Sequence, residues 1–90
     1  MGYGIEKTPF EICQLLGLRL KELRANRKMS RTTLAEFSGV PAPTIRKFEE
    51  TGKISLESLL KIAKVFKKLT EFEELLLPDN NERRRSLFDN

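Results

Sequence analysis

Basic side chains are concentrated in the first half of this chain. Between positions 19 and 47 there are eight arginines and lysines and two glutamates, which gives this stretch a net charge of +6. Between positions 71 and 82 there are five acidic residues and no basic one, and Arg83-Arg84-Arg85 follows. Clustered positive charge attracts polyanions, whereas solvated helix faces carry similar runs without any partner. The stretch therefore favours polyanion binding, with a solvated surface as the alternative.

Catalytic chemistry finds little support in the composition. The 90 residues include no histidine and a single cysteine, Cys13. The usual zinc sites and the Ser–His or Cys–His nucleophile pairs therefore cannot be built. General acid–base catalysis would have to use carboxylates, lysines or the one tyrosine, Tyr3. We expect no enzymatic activity, no metal and no cofactor.

The length and composition predict one small globular domain. A chain of 90 residues with 39% hydrophobic and 33% charged residues can bury a single modest core. The apolar stretches are far shorter than the roughly 20 residues that cross a bilayer, and the N-terminus lacks a signal pattern. One cysteine excludes an intrachain disulfide, so we expect a cytoplasmic protein. We also expect the Cys13 thiol to be buried on the apolar side of the first helix.

Local signals predict five helices. Thr8 and Glu11 form a capping box around a proline at the first helical position, which starts a helix with Ile12, Leu16, Leu20 and Leu23 on one stripe. Ser30 caps a second helix that Gly39 ends, and Pro41 and Pro43 restrict the start of the third. Ser55 caps a fourth, and a capping box at Thr70 opens a fifth that Pro78 stops. The predicted helices cover about 9–27, 31–38, 42–50, 56–67 and 71–77.

The organisation of the chain follows from these helices. We predict an N-terminal arm at 1–8, a helical domain at 9–78 and a C-terminal tail at 79–90. Leu75-Leu76-Leu77 is too apolar for one stripe, so we expect part of it to pack on the fourth helix and the remainder to form a subunit contact.

The second and third predicted helices, joined by a turn with a glycine, have the arrangement of a helix-turn-helix. Five apolar residues face inward from this pair: Leu34, Ala35, Val40, Ile45 and Phe48. Four residues of the third helix are left pointing outward: Ala42, Thr44, Arg46 and Lys47.

The stretch from Leu16 to Phe66 resembles the DNA-binding domain of the phage-repressor/Cro-type helix-turn-helix family. The resemblance lies in the joint spacing of Leu16-Gly17, Leu20, Leu23-Arg24, Ser30, Leu34-Ala35, Gly39-Val40, Ile45, Glu49, Gly52, Leu59 and Ile62-Ala63. It implies an all-α, five-helix lambda-repressor-like fold. It also implies a sequence-specific regulator of transcription, a repressor that binds a near-palindromic operator in double-stranded DNA as a homodimer.

The resemblance implies roles for individual residues. Arg24 and Glu49 match a structural ion pair that holds the recognition helix. The expected base contacts are Ala42, Thr44, Arg46 and Lys47, and the expected phosphate contacts are Ser30, Arg31, Arg27, Lys28 and Lys53. Arginine pairs well with guanine O6 and N7, so we expect a guanine in each half-site. The prolines depart from the polar first turn that the family often has, which shifts base reading toward Thr44, Arg46 and Lys47.

Three interpretations of function remain open at this stage. The chain resembles phage-type regulators, and residues 54–80 resemble antitoxins that accompany kinase-like HipA toxins, which would make a toxin a partner. The alternative is a protein-binding adaptor that uses the same fold as a scaffold. An adaptor would bind DNA only weakly and without sequence preference.

Overall fold

The computed structural model describes residues 6–79 and is entirely helical there. The helices run in the order α1 (Pro9–Asn26), α2 (Arg31–Ser38), α3 (Ala42–Thr51), α4 (Leu56–Val65) and α5 (Leu69–Glu73). The predicted all-α, five-helix class is confirmed. Most of the predicted N-terminal arm and of the tail, including Arg83-Arg84-Arg85 and Leu87-Phe88, lies outside the described residues.

The first two helices begin at the predicted caps. The Glu11 amide donates to Thr8 Oγ1 at 3.1 Å, and the Thr8 amide donates to Glu11 Oε1 at 2.9 Å. The Thr33 amide donates to Ser30 Oγ at 3.0 Å, at the start of α2. These bonds satisfy amides that the first turn of a helix leaves without an intrahelical acceptor.

Helices α1, α2, α3 and α4 share one apolar core. Its buried side chains are Leu20, Leu34, Val40, Ile45, Phe48, Ile62 and Phe66. Leu34 of α2 and Ile45 of α3 have no exposed surface, and burial of such a side chain stabilises the fold by about 1.5–3 kcal/mol. Because both helices of the pair carry a fully buried anchor, the angle between α2 and α3 is fixed by packing.

Two glycines permit close approaches of backbone. A Cβ at Gly17 of α1 would lie 2.3 Å from the carbonyl oxygen of Phe48 in α3. A Cβ at Gly52, where φ is +81°, would lie 2.7 Å from the carbonyl carbon of Cys13. Residues without a Cβ are therefore what allows α3 and the turn after it to lie directly against α1.

The start of α1 differs from the prediction. Cys13 is exposed and Ile12 retains 41% of its surface, so neither belongs to the core. The reason is that α1 presents the backbone of Cys13, and not its thiol, to Gly52. The apolar stripe of α1 reaches the core only from Leu16 onward.

The fifth helix also differs from the prediction. It begins at Leu69 after Lys68, without a side-chain cap, and not at a capping box on Thr70. Lys67 adopts a φ of +58°, and the Lys68 amide donates to the Ala63 carbonyl at 2.9 Å. This tight turn ends α4 and makes Leu69 the first helical residue. The helix then stops at Glu73, so the leucines at 75–77 follow it in turns, exposed, and do not form its last turn.

Candidate nucleic-acid interface

The helix-turn-helix unit consists of α2, a short turn and α3. Gly39 ends α2 in the left-handed conformation with φ of +78°, which glycine adopts without steric cost. The next residue, Val40, is buried, and its amide donates to Ser38 Oγ at 3.1 Å. The turn is thus held by a core side chain and a local hydrogen bond, and α3 starts at a defined place relative to α2.

The outward face of α3 carries polar and basic side chains. Arg46 and Lys47 are exposed, and Ala42 and Thr44 are half-buried. Among the described residues, no hydrogen bond or ion pair engages the side chains of Thr44 and Lys47. Arg46 Nε donates to Glu50 Oε2 at 3.0 Å, in an exposed i,i+4 pair. Such pairs contribute little to stability, so the guanidinium can exchange Glu50 for another acceptor at small cost.

The first turn of α3 has few backbone donors. Pro41 is its N-cap and makes no side-chain cap bond. Pro43 has no amide hydrogen, and the Thr44 and Ile45 amides both donate to the Pro41 carbonyl. A helix start normally offers several free amides to an anion. Since this one offers few, a ligand at this end of α3 would meet side chains and not backbone amides.

A buried carboxylate links α3 to α1 and α2. The side chain of Glu49 is 1% exposed. Arg24 of α1 donates to it from Nε at 2.6 Å and from Nη2 at 2.8 Å. Arg31, the first residue of α2, donates from Nε to Glu49 Oε1 at 3.0 Å. We call Arg24, Glu49 and Arg31 the buried ion cluster.

Hydrogen bonds and burial have opposite effects on the pKa values in the buried ion cluster. Burial raises the pKa of Glu49, but the hydrogen bonds from Arg24 and Arg31 outweigh it and leave the pKa below its usual value. The hydrogen bond to Glu49 raises the pKa of Arg24, against the opposing effect of burial. Arg24 also donates from Nη1 to the Met29 carbonyl at 2.9 Å. Glu49 and Arg24 are therefore both charged at neutral pH, and the second guanidinium gives the cluster two arginines for one carboxylate.

Two of the expected phosphate contacts share one helix start. Ser30 and Arg31 lie at the N-terminus of α2, where the dipole and the free amides of the first turn favour an anion. Lys53 is exposed just after α3. The Arg27 side chain packs on the end of α4, where its guanidinium carbon is 5.0 Å from the centre of the Phe66 ring. Lys28 beside it is exposed, with φ of +53°.

Two ion pairs of the site residues were not predicted from the sequence. Glu50 pairs with Arg46, and the i,i+4 spacing was a readable signal for it. Arg31 pairs with Glu49, eighteen positions away, and no local pattern indicates such a contact.

Residues 6–79 contain neither a candidate metal site nor a candidate membrane span. No three His, Cys, Asp or Glu side chains in this part of the chain are grouped so that they could hold a metal ion. None of its helices combines the length and hydrophobicity that a membrane span requires.

Comparison with known proteins gives one match. A family model described as helix-turn-helix matches residues 20–72, more than half of the chain. The matched range includes α2, α3 and the buried ion cluster. No curated protein and no solved structure gave a significant match.

Proposed function

Because the chain belongs to the Cro/C1-type helix-turn-helix family, whose members are typically DNA-binding transcription regulators and not enzymes, we propose that it is a repressor. It binds a near-palindromic operator in double-stranded DNA as a homodimer. The observation that carries this proposal is the contrast between the two sides of α3. One side is anchored by buried Ile45, Phe48 and Glu49, and the other presents exposed Arg46 and Lys47.

Base reading is assigned to the outward side chains of α3. Arg46 forms a bidentate pair with a guanine in the major groove, after releasing Glu50. Thr44 and Lys47 read neighbouring base edges, and the methyl group of Ala42 contacts a thymine methyl. Since the prolines remove backbone donors from the first turn, these side chains carry the sequence preference.

Phosphate binding is assigned to the rim of the same face. Ser30 and Arg31 bring the N-terminus of α2 to one phosphate, and Lys53 follows the backbone beyond α3. Lys28 and Arg27 approach the next phosphates only if Arg27 leaves the Phe66 ring. These contacts set orientation and affinity without reading sequence.

A single recognition helix makes few base contacts, so specific binding requires two copies. In a twofold dimer the recognition helices enter successive major grooves about 34 Å apart. We propose half-sites with this spacing, each containing a guanine.

The role of antitoxin, in an operon with a toxin, is a narrower version of the same proposal. Phe10 and Leu18 of α1 support it, because their exposed side chains offer an apolar surface to a partner.

The experiment that tests the repressor is selection of random duplex DNA by the purified chain, near physiological salt and with competitor DNA. The expected result is enrichment of a twofold symmetric site with half-sites one helical turn apart. Arg46→Ala should lose the preference for a guanine, whereas Lys21→Ala, an exposed lysine of α1 outside the proposed contacts, should select the wild-type site. Retention that depends on salt but enriches no sequence would contradict the repressor and favour the adaptor.

A further inference from the structure

An apolar groove lies between the end of α2 and α4, apart from the proposed base contacts on α3. It has a volume of about 590 Å³ and is lined by Met29, Phe37, Ser38, Lys61, Lys64 and Val65. No residue of α3 lines it. Phe37 retains 68% of its surface although it belongs to a well-packed helix. The groove therefore combines an uncovered aromatic side chain with two lysines at its rim.

The segment after α5 has the complementary properties. Leu75, Leu76 and Leu77 are 60%, 100% and 53% exposed, and Glu73 and Glu74 precede them. Among residues 6–79, neither glutamate forms an ion pair. Leu76 has a φ of +63°, which is unusual for a leucine. Its apolar side chain is fully exposed to solvent. We call residues 73–77 the acidic leucine segment.

Within one chain the segment lies on a different face of α4. Leu75 and Leu76 border a hollow with Leu56 and Leu60, whereas the groove is bordered by Lys61, Lys64 and Val65. The acidic leucine segment of the same chain therefore does not fill the groove, and a second copy can supply it.

We propose that the groove of one copy receives the acidic leucine segment of a second copy. The leucines cover Phe37 and Val65, and the glutamates pair with Lys64 and Lys61. Lys64 has no ion-pair partner among the described residues, and Lys61 has only a 3.6 Å contact with exposed Glu57. This inference rests on the homodimer of the proposed function and identifies its surface.

A twofold axis makes the contact reciprocal, because each copy supplies one groove and one segment. Two contacts of this kind double the area removed from water, as a stable dimer of so small a domain needs. Both recognition helices remain free, since α3 contributes nothing to the groove.

The test is charge exchange in the full chain, followed by sedimentation without DNA. Lys61→Glu/Lys64→Glu gives a copy whose groove and segment are both acidic, and Glu73→Lys/Glu74→Lys gives one in which both are basic. We expect each variant alone to raise the dimer dissociation constant roughly tenfold or more. An equimolar mixture of the two should dimerise again, because both contacts of the mixed dimer are then matched. The variant with all four changes should dimerise by itself.

The apolar part is tested separately. Leu76→Ser changes a fully exposed side chain, so the fold is unaffected while the dimer weakens. Leu18→Ser, at a 59% exposed position of α1, is the matched control and should sediment as the wild type does.

Three results would overturn the inference. The first is a wild-type monomer at tens of micromolar concentration. The second is a dimer indifferent to all four charges. The third is a dimer weakened by only one of the two charge reversals, which would point to a different contact between copies. If the chain selects a palindrome but its dimer does not depend on these charges, the proposed repressor function stands and the proposed dimer surface is wrong. If the dimer depends on these charges but the chain selects no DNA sequence, the dimer surface stands and the repressor function is wrong.

Discussion

Arg31 and Glu49 form an ion pair between the first turn of α2 and the last turn of α3, with 3.0 Å between Nε and Oε1. An arginine at a helix N-terminus faces the positive end of the dipole, which is unfavourable unless an anion is near. Glu49 provides that anion, and no other described residue pairs with the guanidinium. The Arg31 side chain is 31% exposed. The pair therefore holds a positive charge at the edge of the proposed interface, oriented by a buried carboxylate.

Replacement of Arg31 should weaken DNA binding without abolishing the fold. Glu49 keeps both bonds from Arg24, so Arg31→Ala leaves the carboxylate paired. We expect affinity to fall on all DNA sequences alike, and the slope of log K against log salt to decrease by about 0.9. Fluorescence anisotropy at several salt concentrations measures both quantities. A change confined to one base position would mean that Arg31 reads bases.

Replacement of Glu49 should destabilise the domain. Glu49→Gln leaves Arg24 and Arg31 beside a neutral side chain in a buried place, which should cost about 3 kcal/mol of unfolding free energy. Urea unfolding followed by circular dichroism measures the loss. Glu50→Gln is the matched control, since Glu50 forms only an exposed pair with Arg46, and it should change stability by less than about 0.5 kcal/mol. Equal losses in the two variants would contradict the buried role.

The buried ion cluster should also make stability depend on acidic pH. The folded-state pKa of Glu49 lies below its unfolded value, so its contribution is complete above the unfolded pKa and is lost as pH falls through the folded pKa. Unfolding free energy should therefore decline below about pH 5. The decline should be shallower in Glu49→Gln. Glu11, whose pKa is lowered by its bonds to Thr8, contributes in the same direction, so Glu11→Gln is the control for the remainder.

Gly17→Ala should be destabilising although alanine is the better helix former. In an isolated helix the change would gain about 1 kcal/mol. Here the new methyl group would lie 2.3 Å from the Phe48 carbonyl oxygen, which forces α3 away from α1 and should cost about 1–3 kcal/mol. Thermal unfolding gives the sign directly. Gly39→Ala is a useful comparison, because nothing lies within 4 Å of its Cβ position and only its φ of +78° is strained. A stabilised Gly17→Ala would show that the two helices are not in contact there.

Arg46→Ala should reduce affinity for the selected operator by about 1–3 kcal/mol and relax preference at one base pair. Lys53→Ala should instead weaken binding to every sequence by a similar factor. Titration of the operator and of a scrambled duplex separates the two effects. Should Arg46→Ala reduce affinity for both duplexes equally, Arg46 contacts only a phosphate.

The start of α3 shows how far local signals reach. Pro41 and Pro43 restrict where a helix can begin. The predicted start was near Ala42 or Pro43, and the helix begins at Ala42. Ser30 and Gly39 fix the two ends of α2 in the same way. The predicted capping box at Thr70 was wrong, because the turn at Lys67 and Lys68 makes α5 begin at Leu69, one residue before Thr70.

Residue patterns alone predicted the helices of the helix-turn-helix, the buried positions around Leu34 and Ile45, and the family. Caps, glycine turns and apolar spacing act over three or four neighbouring residues, so they can be read without a structure. The packed helices were needed to show that Arg31 pairs with Glu49, that Gly17 touches α3 and that Cys13 is exposed. These features depend on how separate helices cross, and the crossing is set by the packing of the whole core, which no local pattern contains.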